Sequence, residues 1–440
     1  MLKIVILEYN QLLMPTPTET PAPWSESQKI AFRFCFLYFA IYIFFTPNDE
    51  LPLINTLYEG LNNLLHRFIP WFARHVFGHR DPITIFTGGS GDTTYDYMLW
   101  FFGIVLTLVG TIIWTLVDRK SKRYQVLYYW IRVLVRYYLF YTMMIYGFSK
   151  VIKVQFPFPG PYRLAQPYGD SSPMTLAWNY MGYSTAYNYF TGSAELLGGL
   201  LLLTRRTTTI GAIVCLGVMT NVFMINLGYD VPVKLLSFNT ILMCLFLLRK
   251  DIGRLTDFFI NKTAPSSDLS FPHFNKKLRY SLLGIKLLFT LSIVWLIFSN
   301  VLYYHHLAGD KASKPPLHGI YYPETFMRNN VPVPPLQTDT TRWNRLVVDY
   351  QNFASVRLMN DSIKNYGFKI DTVARTAVLY SYSDTLNKSR FNYVIDPPYL
   401  TLTGKMGNDS VLIKLKKFDE NRFLLVHRGF HWVNEYPYNR

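Results

Sequence analysis

The sequence predicts a mainly α-helical membrane protein: a bundle of about seven transmembrane helices, then a C-terminal antiparallel β sandwich or barrel. Half of the 440 residues are hydrophobic and only 16% are charged, whereas charged residues make up about a quarter of ordinary soluble domains. Several apolar segments approach the roughly 20 residues that cross a bilayer. Near the C-terminus, short alternating segments separated by turn residues replace these long segments, which indicates β-strands.

Composition also excludes several classes of protein. The formal net charge is +16, but the basic residues concentrate in loops, as in membrane proteins, and no nucleic-acid-binding motif accompanies them. The three cysteines, Cys35, Cys215 and Cys244, form no CxxC pair. We therefore expect no thiol relay and no metal site, and we expect no nucleic-acid partner.

Seven segments qualify or nearly qualify as transmembrane helices within a membrane domain at 29–302, after an N-terminal segment at 1–28. They are 29–47, 96–117, 126–149, 187–204, 208–228, 233–249 and 280–302. The loops after the second, fourth and sixth segments hold 4, 2 and 7 Lys and Arg residues, while the much longer opposite loops hold 7. Positive charge stays in the cytoplasm. This bias predicts a cytoplasmic N-terminus and a C-terminal domain on the opposite side, which for the expected bacterial inner membrane is the periplasm.

Two regions outside the spans carry their own predictions. Apolar residues at helical spacing in 51–78, beside Trp71, predict a helix lying on the membrane surface. A linker at 303–340 leads into a β-rich domain at 341–440, which resembles a lipocalin-type barrel. Its last predicted strand is "RFLLVHRGFHWV", with Trp432 in an aromatic plug.

Ionisable and amide side chains inside the predicted spans are the candidate functional residues, because such groups are costly in a bilayer unless paired or functional. Glu195 lies near the middle of its span, and Lys150 lies at the outer end of another. Together with Asp230 and Lys234 they could converge on one periplasm-facing pocket. Other candidate ligand-binding residues are Arg136, Tyr141, Tyr146, Asn221, Asn226 and Asn239. The structural alternative is that these groups only specify helix packing.

The segments "YGFSKVIKVQFP" and "GSAELLGGLLLLTRR" resemble the DoxX-like family of small four-helix membrane proteins. Gly147, Lys150, Glu195, Gly198 and Gly199 stand at the positions that carry the resemblance, which covers 126–249. The whole layout looks like the larger Bacteroidetes members with an extra periplasmic domain. A more distant similarity runs to the membrane domains of vitamin K-dependent carboxylases. The DoxX-like resemblance implies a subunit of a membrane redox complex.

Three functional hypotheses follow. The first is a quinone- or lipid-linked redox subunit in which Lys150 and Glu195 donate to and accept from the quinone, with Tyr141 and Tyr146 lining the pocket. The second is a non-enzymatic assembly or scaffold protein whose outer domain binds a membrane or periplasmic partner or a ligand. The third is an acid–base enzyme with Lys150 as base. Quinone or another lipid is the only cofactor implied, and the sequence leaves open whether the protein is an enzyme.

Overall fold

All seven predicted apolar segments form α-helices in the computed structural model, which describes residues 23–45, 55–85, 91–263 and 275–439. The chain divides into two compact units. The helical unit comprises residues 1–155 and 185–303, and the barrel unit comprises residues 156–184 and 304–440. The short region 156–184 therefore belongs with the C-terminal domain, although it lies between two helices of the helical unit in sequence. This division differs from the predicted continuous membrane domain at 29–302.

Nine helices begin in the helical unit as the structure describes it. They are α1 (Glu26–Phe45), α2 (Asn55–Phe77), α3 (Thr94–Val117), α4 (Gln125–Val151), α7 (Thr185–Leu202), α8 (Thr208–Gly228), α9 (Lys234–Leu248), α10 (Ile252–Phe259) and α11 (Lys276–Leu307). Helices α5 (Pro161–Leu164), α6 (Pro173–Tyr183) and α12 (Leu424–His427) lie in the barrel unit. The numbering follows the order of the helices along the chain.

Four of these helices, α1, α3, α8 and α11, are long and apolar enough to cross a membrane. Helix α4 has the length but carries Arg132, Arg136 and Lys150, and α9 has only 15 residues. A membrane protein is thus supported by four spans, while the count of seven stays a prediction. Helix α2 coincides with the predicted surface helix, and its Trp71 is exposed. The first residues of that prediction, 51–54, lie outside the described residues.

Two adjacent residues between α2 and α3, Asp92 and Thr93, stabilise the starts of two different helices. Thr93 caps α3, and Asp96 bonds back to the Thr93 N–H at 2.8 Å, so the two form a capping box. The preceding Asp92 accepts the N–H groups of Lys234 and Leu235 at 2.5 and 2.9 Å. It thereby satisfies two donors at the start of α9 that no helical carbonyl can reach.

The barrel unit is built on nine strands: β1 (Gly319–Arg328), β2 (Val331–Pro332), β3 (Trp343–Val348), β4 (Phe353–Leu358), β5 (Ile363–Asp371), β6 (Thr376–Ser381), β7 (Lys388–Asp396), β8 (Tyr399–Met406) and β9 (Asp409–Lys417). Each strand from β3 to β8 pairs antiparallel with the strand that follows it, and β1 pairs with both β3 and β9. These pairings close eight strands into a barrel, while β2 pairs only with the end of β1.

The structure corrects two predictions about this domain. The strand that closes the barrel is β1, which lies inside the predicted linker at 303–340. The predicted last strand instead contains α12 and ends in coil, with Trp432 exposed. Pro323 in β1 has no backbone N–H to donate to a neighbouring strand. In the barrel it sits where the pairing with β9 shifts register, a position at which a strand tolerates proline.

Apolar side chains fill the barrel. Nineteen buried residues form one continuous cluster, and the largest of them include Trp343, Phe326, Phe368 and Phe391. An eight-stranded barrel is just wide enough for its own side chains to fill it. The packed interior therefore supports a barrel stabilised by a hydrophobic core and lends no support to a lipocalin-like internal ligand.

Candidate functional site

The central feature of the helical unit is a buried ion pair between α4 and α7. Lys150 Nζ lies 2.9 Å from each carboxylate oxygen of Glu195. The side chains are only 7% and 2% exposed, respectively. The sequence-based expectation that these two groups face each other is therefore met. A lysine bound to both oxygens of a buried carboxylate neutralises a charge that would otherwise be very costly.

Glycines allow the two helices to approach closely enough for this pair. A Cβ on Gly192 would lie 2.8 Å from the carbonyl oxygen of Gly147 and 2.9 Å from Cβ of Lys150. A Cβ on Gly199 would lie 2.9 Å from Cβ of Met143. Real Cβ atoms do not approach other atoms this closely, so these positions require glycine or a shift of the helices. The family-like glycines thus have a local physical role, which is close helix contact.

The two candidate tyrosines differ in their relation to the pair. Lys150 Nζ lies 5.4 Å from the ring centre of Tyr146, within the range of a cation–π contact. Tyr141 is buried in a hydrophobic cluster with Phe140 and Met144. Tyr146 therefore belongs to the candidate site, and Tyr141 lies in the hydrophobic cluster beside α4.

Asp230 and Lys234 do not join Lys150 and Glu195. They bond to each other at 3.2 Å across the turn between α8 and α9, and the Asp230 side chain is 86% exposed. The predicted convergence of four charged groups on one pocket is therefore wrong: among the described residues they form two separate pairs. Residues four apart at a helix start reach each other easily, and this local contact prevails over a long-range one.

Two of the three candidate asparagines form buried hydrogen bonds, and the third is exposed. Asn226 donates to Val233 O and Ser237 Oγ, both at 3.0 Å. Asn239 accepts from the Tyr38 hydroxyl, which in turn accepts from Trp100 Nε1 at 3.0 Å. These contacts hold α1, α3 and α9 together, which is the structural role that amides have between membrane helices. Asn221 is exposed on α8 and is not part of either network.

Sequence reasoning missed one buried cation, Arg33 in α1, which is 1% exposed. Its Nε donates to the Tyr124 hydroxyl at 2.9 Å, and its Nη atoms reach Thr115 Oγ1 and Asp118 O. Hydrogen bonds from Ser121 and Tyr124 lower the pKa of Asp118 to about 2. The signal was available, since Arg33 is the one arginine or lysine between residues 30 and 45.

A second group of titratable residues lies at one end of the barrel. Asp349, directly after β3, accepts the N–H of Tyr162 at 3.1 Å. A Cβ on Gly160 would lie 2.5 Å from the Asp349 carboxylate. His318 Nε2 lies 3.9 Å from Asp349 Oδ1. The carboxylate thereby ties the start of α5 to the barrel, and Gly160 is needed for that approach.

Burial shifts the acid–base properties of this group in opposite directions. It raises the pKa of Asp349 to about 6, against the hydrogen bond from Tyr162. It lowers the pKa of His318 to about 4, an effect that the positive charge of Lys314 reinforces. Asp349 is therefore charged mainly above pH 6 and His318 mainly below pH 4. The two side chains are in contact, but at no pH are both mostly charged, so they do not form a stable ion pair.

Metal ligands do not cluster in the described part of the chain: no group of three or more His, Cys, Asp or Glu residues there is placed to hold an ion. The three cysteines are free, and Cys215 and Cys244 are buried. The candidate site therefore consists of the ion pair, Tyr146 and the glycines around them. These side chains offer hydrogen-bond donors and acceptors and two opposite charges.

Comparison with known proteins identifies a relative that is itself uncharacterised. No protein-family model matches the chain, and no solved structure matches it. The uncharacterised protein YwoB of Bacillus subtilis (strain 168) is 34% identical over 124 residues, which are 28% of this chain and 79% of the relative. Because the similarity extends over most of the relative, the chain belongs to the family of this Bacillus protein.

Proposed function

We propose that this protein is a non-enzymatic membrane assembly protein of DoxX-like type, in which the helical unit is the anchor and the barrel unit binds another envelope protein. The observation that carries the proposal is the aromatic tail, residues 428–439. There Phe430, Trp432 and Tyr436 are 76%, 91% and 83% exposed. Side chains of this kind dominate the energy of protein–protein interfaces when a partner buries them.

The alternatives inside the barrel unit have less support. Its interior is filled by its own core, so a ligand would have to bind outside. The tail, in contrast, places three large aromatic rings in solvent beside Arg428. Aromatic residues and arginine are enriched at interfaces relative to the rest of a protein surface. A protein partner is therefore the occupant that this composition favours.

Chemical cross-linking in native membranes, followed by affinity purification, tests the proposal. We expect a partner to copurify in fixed ratio with the wild-type chain and to be lost when Phe430, Trp432 and Tyr436 are all replaced by serine. The matched control replaces exposed apolar residues elsewhere on the barrel, Val394 and Ile395, by serine. Equal recovery of the partner with both variants would refute a role for the tail.

A second candidate is the quinone- or lipid-linked subunit of a membrane redox complex, with the ion pair as the binding site. Lys150 offers donors and Glu195 offers acceptors beside the Tyr146 ring, which is the combination that a quinone head requires. In the structure the two groups satisfy each other, so a quinone would have to separate them. The acid–base hypothesis has less support, because both Glu195 oxygens engage the ammonium of the proposed base.

Mass spectrometry of lipids extracted from protein purified in mild detergent separates these candidates. A quinone retained by the wild-type chain and lost in Lys150→Met would favour the redox subunit. The variant must first be shown to elute as a folded species, because breaking the pair also destabilises the helices. A lipid extract free of quinone, together with a copurifying protein, would favour assembly.

A further inference from the structure

Four cations surround the C-terminal end of α7: Arg132 and Arg136 on α4, Arg205 just after α7, and Lys286 on α11. We call them the basic cluster. Arg136 is the deepest of them, at 7% exposure. It was an unexplained candidate in the sequence, and the ion pair of Lys150 and Glu195 does not involve it.

Arg136 donates from Nε to the carbonyl oxygen of Leu202 at 2.8 Å. Within the described part of the chain, this is its one hydrogen bond, and it forms no ion pair there. A guanidinium has five N–H donors in a planar fork, so four remain. A buried arginine normally has a carboxylate or phosphate for these donors.

The neighbouring cations add to the positive electrostatic potential around Arg136. Lys286 Nζ donates to the carbonyl oxygen of Leu203 at 2.6 Å. Arg132 and Arg205 lie close enough to Arg136 to repel its charge. The negative end of the α7 dipole offsets this repulsion only in part, since it is equivalent to about half an elementary charge.

From this geometry we propose that the basic cluster binds the phosphate of an anionic phospholipid headgroup at the end of α7. Phosphate matches the guanidinium fork in shape and charge, and it would pair with donors that the helix carbonyls leave unused. Basic pockets between membrane helices on the cytoplasmic side are suited to such headgroups. The predicted charge bias places this end of α7 on that side.

The test uses the full chain, delipidated in a mild non-ionic detergent, with phosphatidylglycerol, phosphatidylcholine or inorganic phosphate added. We expect phosphatidylglycerol to raise the unfolding temperature and to be retained in native mass spectra, and phosphatidylcholine to do neither, because its choline neutralises the phosphate. Lys286→Gln and Arg205→Gln change partly exposed residues and should preserve the fold. Each should weaken phosphatidylglycerol binding about fivefold, from about 1 kcal/mol per cation.

Arg136→Gln should remove most of the binding, and Lys234→Gln, a cation of the helical unit already paired with Asp230, is the matched control that should change nothing. Equal binding of phosphatidylglycerol to the wild type and to the Lys286→Gln, Arg205→Gln double variant would overturn the proposal. So would equal binding of the two lipids. If inorganic phosphate raises the unfolding temperature with the same dependence on these residues and phosphatidylglycerol does not, the site takes a soluble phosphate and the lipid proposal is overturned.

Discussion

Lys150 and Glu195 show how strongly one buried contact depends on both partners. The ammonium bonds to both carboxylate oxygens, and neither side chain has appreciable access to solvent. Removing one partner leaves a buried charge without its counterion, which costs far more than the net stabilisation by the pair. The pair is therefore better evidence of how α4 and α7 are positioned than of a large stabilisation.

We predict that Lys150→Met lowers the free energy of unfolding by about 3–5 kcal/mol, because Glu195 is left unpaired in an apolar surrounding. The double variant Lys150→Met, Glu195→Leu should recover most of that loss. Thermal unfolding in detergent measures both. Lys234→Met is the control, with an expected loss of about 0–1 kcal/mol for a pair whose acid is exposed. A single variant as stable as the double would contradict the prediction.

Asp349 and His318 give a second residue-scale prediction, on pH. Because the folded-state pKa of Asp349 is raised to about 6, its contribution to stability is full at low pH and is lost as pH rises from about 4 through 6. Because the pKa of His318 is lowered to about 4, its contribution is full above about pH 6.5 and is lost as pH falls through 4. The two trends oppose each other between pH 4 and 6.

Asp349→Asn should therefore be more stable than the wild type at pH 7.5, by up to about 3 kcal/mol for a shift of this size. It should also lose stability on acidification below pH 6.5, because the lowered pKa of His318 then sets the slope and is no longer opposed by Asp349. His318→Gln should show the reverse trend and gain stability between pH 6 and 4.5. Unfolding temperatures of the full chain across pH 4–8 measure these slopes, and parallel curves for all three proteins would refute the assignment.

At the scale of elements, the packing of α7 against α4 depends on glycines at the contact. A Cβ placed on Gly192 would lie 2.8 Å from the carbonyl oxygen of Gly147 and 2.9 Å from Cβ of Lys150. A side chain there would push the two helices apart and lengthen the bonds of the ion pair. Gly217 on α8 is the opposite case, with nothing within 4 Å of a Cβ placed there.

Gly192→Leu is expected to lower the unfolding free energy by about 1–3 kcal/mol or more, because a well-packed contact must open to admit it. Gly217→Ala should leave stability unchanged or raise it by up to about 1 kcal/mol through helix propensity. Parallel thermal unfolding of the two variants checks this. Equal effects would show that the close approach of α7 and α4 does not limit stability.

The whole molecule combines a helical unit with a closed barrel, and the barrel depends on a strand that is distant in sequence from its partner. β1 pairs with β9 over seven residue pairs, from Tyr321 with Lys417 to Arg328 with Val411. Phe326 from β1 is 1% exposed in the core, whereas Trp432 in the tail is 91% exposed.

Phe326→Ala should therefore lower the unfolding free energy by about 3–5 kcal/mol, as expected for a large aromatic residue removed from a core. Trp432→Ala should change it by less than about 0.5 kcal/mol, as for an ordinary surface position. Tryptophan fluorescence during denaturant unfolding follows the first variant through Trp343, and circular dichroism follows both. A large loss with Trp432→Ala would revive the predicted aromatic plug.

Local periodicity of apolar residues predicts the helix positions and most of the strands, because a few turns or a few alternations are enough to show it. Lys150 and Glu195 are also evident in the sequence, because charges in apolar helices stand out. Which charges meet depends on the folded chain: Asp230 pairs with Lys234, and Arg136 donates to a carbonyl at the end of α7. The tertiary structure also decided that β1 closes the barrel. Such pairings depend on distances between segments far apart in the chain, which local patterns do not encode.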